Sequence, residues 1–163
     1  MFDSMAIRQQ VIWDEKERKF QGFCDYGNGT SIERNETEAK EALVFLLVSS
    51  KGTWKFPISY FLNHHMTSST LAELIKTALV LTEEAGITVR AVTCDEEATN
   101  CSALKILGCK LFVDNYDDIK HFFLHPSKQY KVRVILDACH MLKLGRNALA
   151  DYKIFLCDEG HIK

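Results

Sequence analysis

Apolar and polar positions along the chain change period several times, and each change marks an element. Ala42–Val48 is a near-continuous apolar run, the pattern of a strand buried on both faces. Leu71, Leu74, Ile75, Ala78 and Leu79 fall at i, i+3, i+4, i+7 and i+8, which predicts a helix. Thr70-x-x-Glu73 reads as its capping box and Gly86 as its C′ residue. Ile87–Cys94 is rich in β-branched residues and predicts a strand ending at Asp95. Thr99–Leu107 predicts a short helix closed by Gly108, Tyr130–Leu136 a strand ending at Asp137, and His140–Ala150 a helix.

The earlier residues read as strands and turns. Met1–Ile7 is the tail of a strand with little room ahead of it. Val11–Trp13 and Phe20–Cys24 flank the polar stretch Asp14–Lys19, as in a hairpin. Gly27-Asn28-Gly29 opens a loop, and Glu36–Glu41 suits a short helical turn. Trp54–Leu62 returns as a strand in which Pro57 demands an edge or a bulge. Lys110–His125 shows no clear period and reads as irregular, with His121 and His125 in a partly buried loop; Tyr152–Cys157 reads as extended, followed by a turn. Strands first, then helix–strand–helix–strand–helix, is an α/β order. It predicts a mixed sheet, antiparallel early and parallel later, flanked by helices.

Composition keeps this within one folded domain: 163 residues, 47% hydrophobic and 26% charged. The longest apolar run is too short to span a bilayer. The six cysteines lack C-x-x-C spacing and no signal peptide precedes them, so reduced, buried thiols in an intracellular protein are expected. Charge is uneven. Residues 1–119 carry 12 Lys/Arg against 18 Asp/Glu, and residues 120–163 carry 8 against 4. A basic end on an acidic body directs an anionic partner to that end.

The candidate chemistry lies at strand ends. Asp3 is on the first strand, and Asp95 and Asp137 follow later ones. Carboxyl ends of parallel strands meet in one crevice, where paired carboxylates can hold Mg²⁺ or Mn²⁺. Taken singly, each Asp is also a common helix cap or turn residue. On the last helix His140, Lys143 and Asn147 share a face suited to phosphate, while Met141, Leu142 and Leu144 can face the core.

Several stretches together resemble a known family. They are Phe2-Asp3-Ser4-Met5-Ala6-Ile7, Phe20-Gln21-Gly22-Phe23-Cys24-Asp25-Tyr26-Gly27, Glu41-Ala42-Leu43-Val44-Phe45, and Trp54-Lys55-Phe56-Pro57-Ile58-Ser59-Tyr60-Phe61. Glu84-Ala85-Gly86-Ile87, Cys94-Asp95 through Asn100, and Asp137-Ala138-Cys139-His140-Met141-Leu142-Lys143-Leu144-Gly145-Arg146-Asn147 complete the set. From Asp3 to about Tyr152 the chain resembles the ribonuclease H-like domain of P element-type transposases, THAP-domain relatives included.

The resemblance implies a ribonuclease H-like fold over residues 1–150, with residues 151–163 opening a helical, GTP-binding-type insertion that is cut off. It implies an acidic triad holding two Mg²⁺ or Mn²⁺ ions that cleaves and joins DNA, with Asp3 as first member and Asp95 as second. The third is a Glu beyond the insertion, so a chain ending at Lys163 is expected to be inactive alone. GTP belongs only to a longer form. Asp137 and His140 match a stretch resembling the C/D-x-x-H motif of hAT-type transposases, which implies DNA contact there, joined by Lys143, Arg146 and Asn147. DNA as partner implies the nucleus; a homo-oligomer stays open, and a membrane is not expected. The chain departs from the family in carrying Glu96 directly after Asp95, where Gly is common, followed by Glu97, and in lacking a THAP domain ahead of Asp3. A second reading accounts for the same residues: a domesticated, non-catalytic DNA- or protein-binding module.

Overall fold

The computed structural model describes residues 1–27, 37–153, 155–157 and 160–162, with side chains up to residue 153. Asn28 and Gly29 of the expected loop lie outside the described residues. The early strands are β1 (Phe2–Ala6), β2 (Ile12–Asp14), β3 (Lys19–Gln21), β4 (Glu41–Val48) and β5 (Lys55–Asn63). Helix α1 (Ser68–Glu84) leads to β6 (Ala91–Cys94), and α2 (Ala98–Leu107) follows. Then come a 3₁₀ turn at Tyr116–Asp118, β7 (Phe122–Leu124), β8 (Lys131–Leu136), α3 (Ala138–Tyr152), β9 (Phe155–Cys157) and β10 (Gly160–Ile162).

The mixed sheet is present as two halves. β1, β4 and β5 pair antiparallel, with β4 central. β6 pairs parallel with β8, and β7 pairs antiparallel on the other side of β8. β1 lies against β6 and so joins the halves. β2–β3 and β9–β10 are hairpins. Pro57 sits on edge strand β5, and the register slips opposite it between Phe45 and Leu46. Proline cannot donate to a ladder, so an edge with a bulge is where it fits.

One face of the sheet is covered. Phe2, Leu43 and Phe45 pack with Leu71, Leu74, Ile75 and Leu79 of α1, and with Ala103 and Leu104 of α2. Val92, Phe123, Val132 and Val134 extend this core under the second half. Each large apolar side chain removed from water in this way stabilises the fold by about 1.5–3 kcal/mol. On the other face Met5, Tyr60, Arg133 and Ile135 remain exposed.

Several local expectations are corrected. The cap of α1 is Thr67, whose Oγ1 accepts from Thr70 N, so the helix begins a turn earlier than the Thr70–Glu73 box predicts. Residues 37–41 are extended, not helical: Cys24 N donates to Thr37 O, Ala39 N to Gly22 O and Lys40 N to Asn63 O, so their backbone groups are spent on neighbouring strands. β6 is shorter than the Ile87–Cys94 run. β7 was not expected; it is an edge of three residues within the aperiodic stretch. His125 is fully buried. Helix α3 begins at Ala138 and has no buried residue: Met141, Leu142 and Leu144 face solvent rather than the core.

Candidate functional site

The site forms where β1 and β6 meet. Asp3 occupies β1 opposite Val44. Its Oδ1 accepts from Ser4 N at 2.8 Å, and the side chain is exposed. Asp95 follows the last residue of β6, where that strand hands over to α2. Asp95 Oδ1 accepts from Asn100 Nδ2 and, at 3.2 Å, from Glu97 N. Its Oδ2 lies 3.9 Å from His140 Nε2. Two donors from the start of α2 thus hold one oxygen and leave the other facing α3.

Further carboxylates crowd this point. Glu97 is held above the usual carboxylate range, by partial burial first, then by the charges of Asp95, Glu41 and Asp3; His65 pulls the other way. Four carboxylates therefore share one electrostatic field, contributed by β1, β4, the end of β6 and the start of α2. Like charges in one field disfavour the ionised form of Glu97. Cys94, just before Asp95, is pushed up to about 12, first by burial and then by Asp95. It remains a thiol rather than a thiolate ligand.

Asp137 caps α3, its Oδ1 accepting from Cys139 N at 2.7 Å and His140 N at 3.1 Å. That cap aims the first turn of α3, and with it His140, at Asp95. Lys143, Arg146 and Asn147 lie farther along, all exposed, and Arg146 donates to Asn147 Oδ1 at 3.2 Å. The fold thus brings Asp95 and His140 together, places Asp3 on the adjoining strand β1, and sets Lys143, Arg146 and Asn147 along the helix leading away.

Glu41, His65 and Asn100 had no assigned role in the sequence. Glu41 and Asn100 fall inside stretches that carry the resemblance, but nothing in their spacing points to Asp95. Only Glu97 carried a signal, as the second of two carboxylates after Asp95. Oxygen donors of negative charge suit a hard divalent cation. Among the described residues, however, no three His, Cys, Asp or Glu side chains gather closely enough to enclose one. The residues present fit one side of such a centre.

Comparison with known proteins decides the family. Residues 1–108 match the family described as "TNP-like, RNase H N-terminal domain". A human protein, DNA transposase THAP9, is 34% identical over 155 residues, covering 94% of this chain. The chain belongs to the P element-type transposases. It spans 17% of the length of the human relative. The Drosophila P element transposase, solved as a strand transfer complex, superposes with a TM-score of 0.69 at 20% identity. That match covers 99% of this chain and 31% of the Drosophila chain, and it bears out the ribonuclease H-like fold. Among the described residues no helix is long and apolar enough to cross a membrane.

Proposed function

We propose that this chain is the front part of a transposase catalytic core, in which Asp3 and Asp95 supply two of the carboxylates that hold Mg²⁺ or Mn²⁺. The supporting observation is the meeting of β1 and β6, which sets both aspartates in the field of Glu41 and Glu97. Metal ions at such a site stabilise the attacking and leaving oxygens of a phosphodiester. The chain's own contribution is placement. Asn100 and Glu97 N hold one Asp95 oxygen, the Asp137 cap aims His140 at the other, and Lys143 and Arg146 offer positive charge to a DNA backbone. The complete protein acts on transposon ends and target DNA in the nucleus. A longer form adds a further carboxylate and, from residues 151–163 onward, a helical insertion that takes GTP.

Alone, the chain binds metal weakly and does not cleave DNA efficiently. Calorimetric titration with Mn²⁺ should give weak binding that Asp3→Asn/Asp95→Asn abolishes; unchanged binding in that variant would overturn the metal assignment. Supercoiled plasmid should stay intact with Mg²⁺ or Mn²⁺. Robust nicking that Asp95→Ala abolishes would overturn the inactivity.

The second reading, a non-catalytic binding module, draws on α3. This helix buries no residue and carries a basic stripe beside an apolar one. On this reading Asp3→Asn/Asp95→Asn changes nothing, while Lys143→Glu/Arg146→Glu weakens DNA binding.

A further inference from the structure

The outer face of the β7–β8 edge carries cations without counter-charges. Arg133 stands opposite Phe122 in the antiparallel register, and Lys131 stands opposite Leu124. Cross-strand partners share a face. Alternation sends Val132 and Phe123 into the core and leaves Lys131 and Arg133 exposed. Lys131 Nζ lies 4.4 Å from the centre of the Phe122 ring, and Lys120 Nζ lies 5.3 Å from it. Lys110 is the bridge partner of Lys120.

Four cations thus lie on β8 and on the Lys110–Lys120 bridge beside the ring of edge strand β7. Among the described residues none of them lies within 4 Å of a carboxylate; the two ion pairs found there involve other residues. Asp114, Asp117 and Asp118 sit in the connecting loop and pair with none of them. Like charges facing each other across strands cost stability. Lys110 and Lys120 oppose each other in this way, and Lys120, Lys131 and Arg133 belong to the basic quarter of the chain, which favours a polyanion over a solvated surface. Lys131 and Arg133 are about 6.8 Å apart along the strand, about the axial rise of two base pairs of a DNA duplex.

We infer that Lys110, Lys120, Lys131 and Arg133 form a sequence-independent contact surface for a nucleic acid backbone, separate from the basic stripe of α3. The inference rests on the DNA reading above. Its test is fluorescence anisotropy of the 163-residue chain with a random 30-base-pair duplex, over a salt series. Each phosphate that the protein ceases to neutralise lowers the slope of log K against log salt by about 0.9. Lys120→Gln/Lys131→Gln/Arg133→Gln should therefore lower it by about 2 to 3. Arg133→Gln alone should lower it by about 1, which keeps the test decisive if the triple variant melts early. A separate Lys143→Gln/Arg146→Gln variant reports the α3 stripe. If both β7–β8 variants keep the parent slope while the α3 variant lowers it, the surface is refuted and the DNA reading stands. If the parent chain binds no duplex even at low salt, both fail. If polyglutamate of equal charge binds as tightly and loses slope equally in the triple variant, the surface belongs to acidic protein and the nucleic acid assignment is overturned.

Discussion

The side-chain amide of Asn100 donates to Oδ1 of Asp95, five residues back across the junction of β6 and α2. Asn100 is buried, and its helix packs against α1. The strand end therefore does not simply present a carboxylate; the next helix clamps it. With Glu97 N on the same oxygen, Asp95 is left with one oxygen free, turned toward His140.

Asn100→Ala should therefore cost twice. Losing a buried hydrogen bond to a charged group destabilises by about 1.5–3 kcal/mol, readable as a lower urea midpoint. Mn²⁺ binding should also weaken, because Asp95 loses the partner that sets its orientation. A variant with normal stability and undiminished Mn²⁺ affinity would remove Asn100 from the site.

That Asp95 and Asp137 directly follow β6 and β8 was legible, because the β-branched, apolar runs stop at them. The clamp was not legible, since nothing in the periodicity of α2 marks Asn100 as facing back to Asp95. The same limit explains α3. Its apolar spacing promises a face that prefers burial, but spacing does not say what buries it. Here nothing among the described residues does, and Leu142 is 75% exposed. Strand β7 was missed for a different reason: three residues are too few to show alternation, and pairing with β8 defines it.

Helix α3 supplies the second expected outcome. Leu142→Gln/Tyr152→Gln alters two side chains that are 75% and 78% exposed. Stability should change by no more than about 0.5 kcal/mol per site. Leu71→Ala, in the packed face of α1, should cost about 2–5 kcal/mol. Urea denaturation of both variants against the parent chain compares them. A large loss in the α3 variant would mean that its apolar stripe packs onto the core.

His125 ties the β7–β8 turn to α1. Its Nδ1 accepts from Ser127 N at 3.3 Å and Lys128 N at 3.2 Å, so the ring proton is on Nε2, which donates to Leu79 O at 3.2 Å. The ring also stacks on Tyr130 at 4.8 Å. His125→Phe keeps an aromatic ring but takes the acceptor away from Ser127 N and Lys128 N, while the Leu79 carbonyl keeps Thr82 Oγ1; it should cost about 1–3 kcal/mol. His125→Ala should cost more, since it also leaves a void. Equal stability of the phenylalanine variant and the parent would show that stacking alone holds this turn.

The cysteines give a pH-dependent outcome. Cys94 and Cys109 are almost fully buried, and Cys139 is exposed. Burial pushes the Cys109 thiol up to about 11 from an ordinary 9.0. Such a thiol stays protonated in the folded chain at a pH where the unfolded chain has released its proton. The folded state then binds more protons, so this contribution to stability is complete below pH 9 and is lost as pH rises toward 11. Melting temperature should fall across that window, and Cys109→Ala should show a shallower fall relative to its own value at pH 8. Among the cysteines with described side chains, thiol labelling at pH 8 should modify Cys139 first, with Cys94 and Cys109 reacting only in denaturant, since the thiolate is the nucleophile. Peptide mass spectrometry follows each site separately, and Cys139→Ser should remove its share of the fast phase. Labelling of Cys94 at the rate of Cys139 would mean that β6, and with it the Asp95 end of the site, opens in the native state.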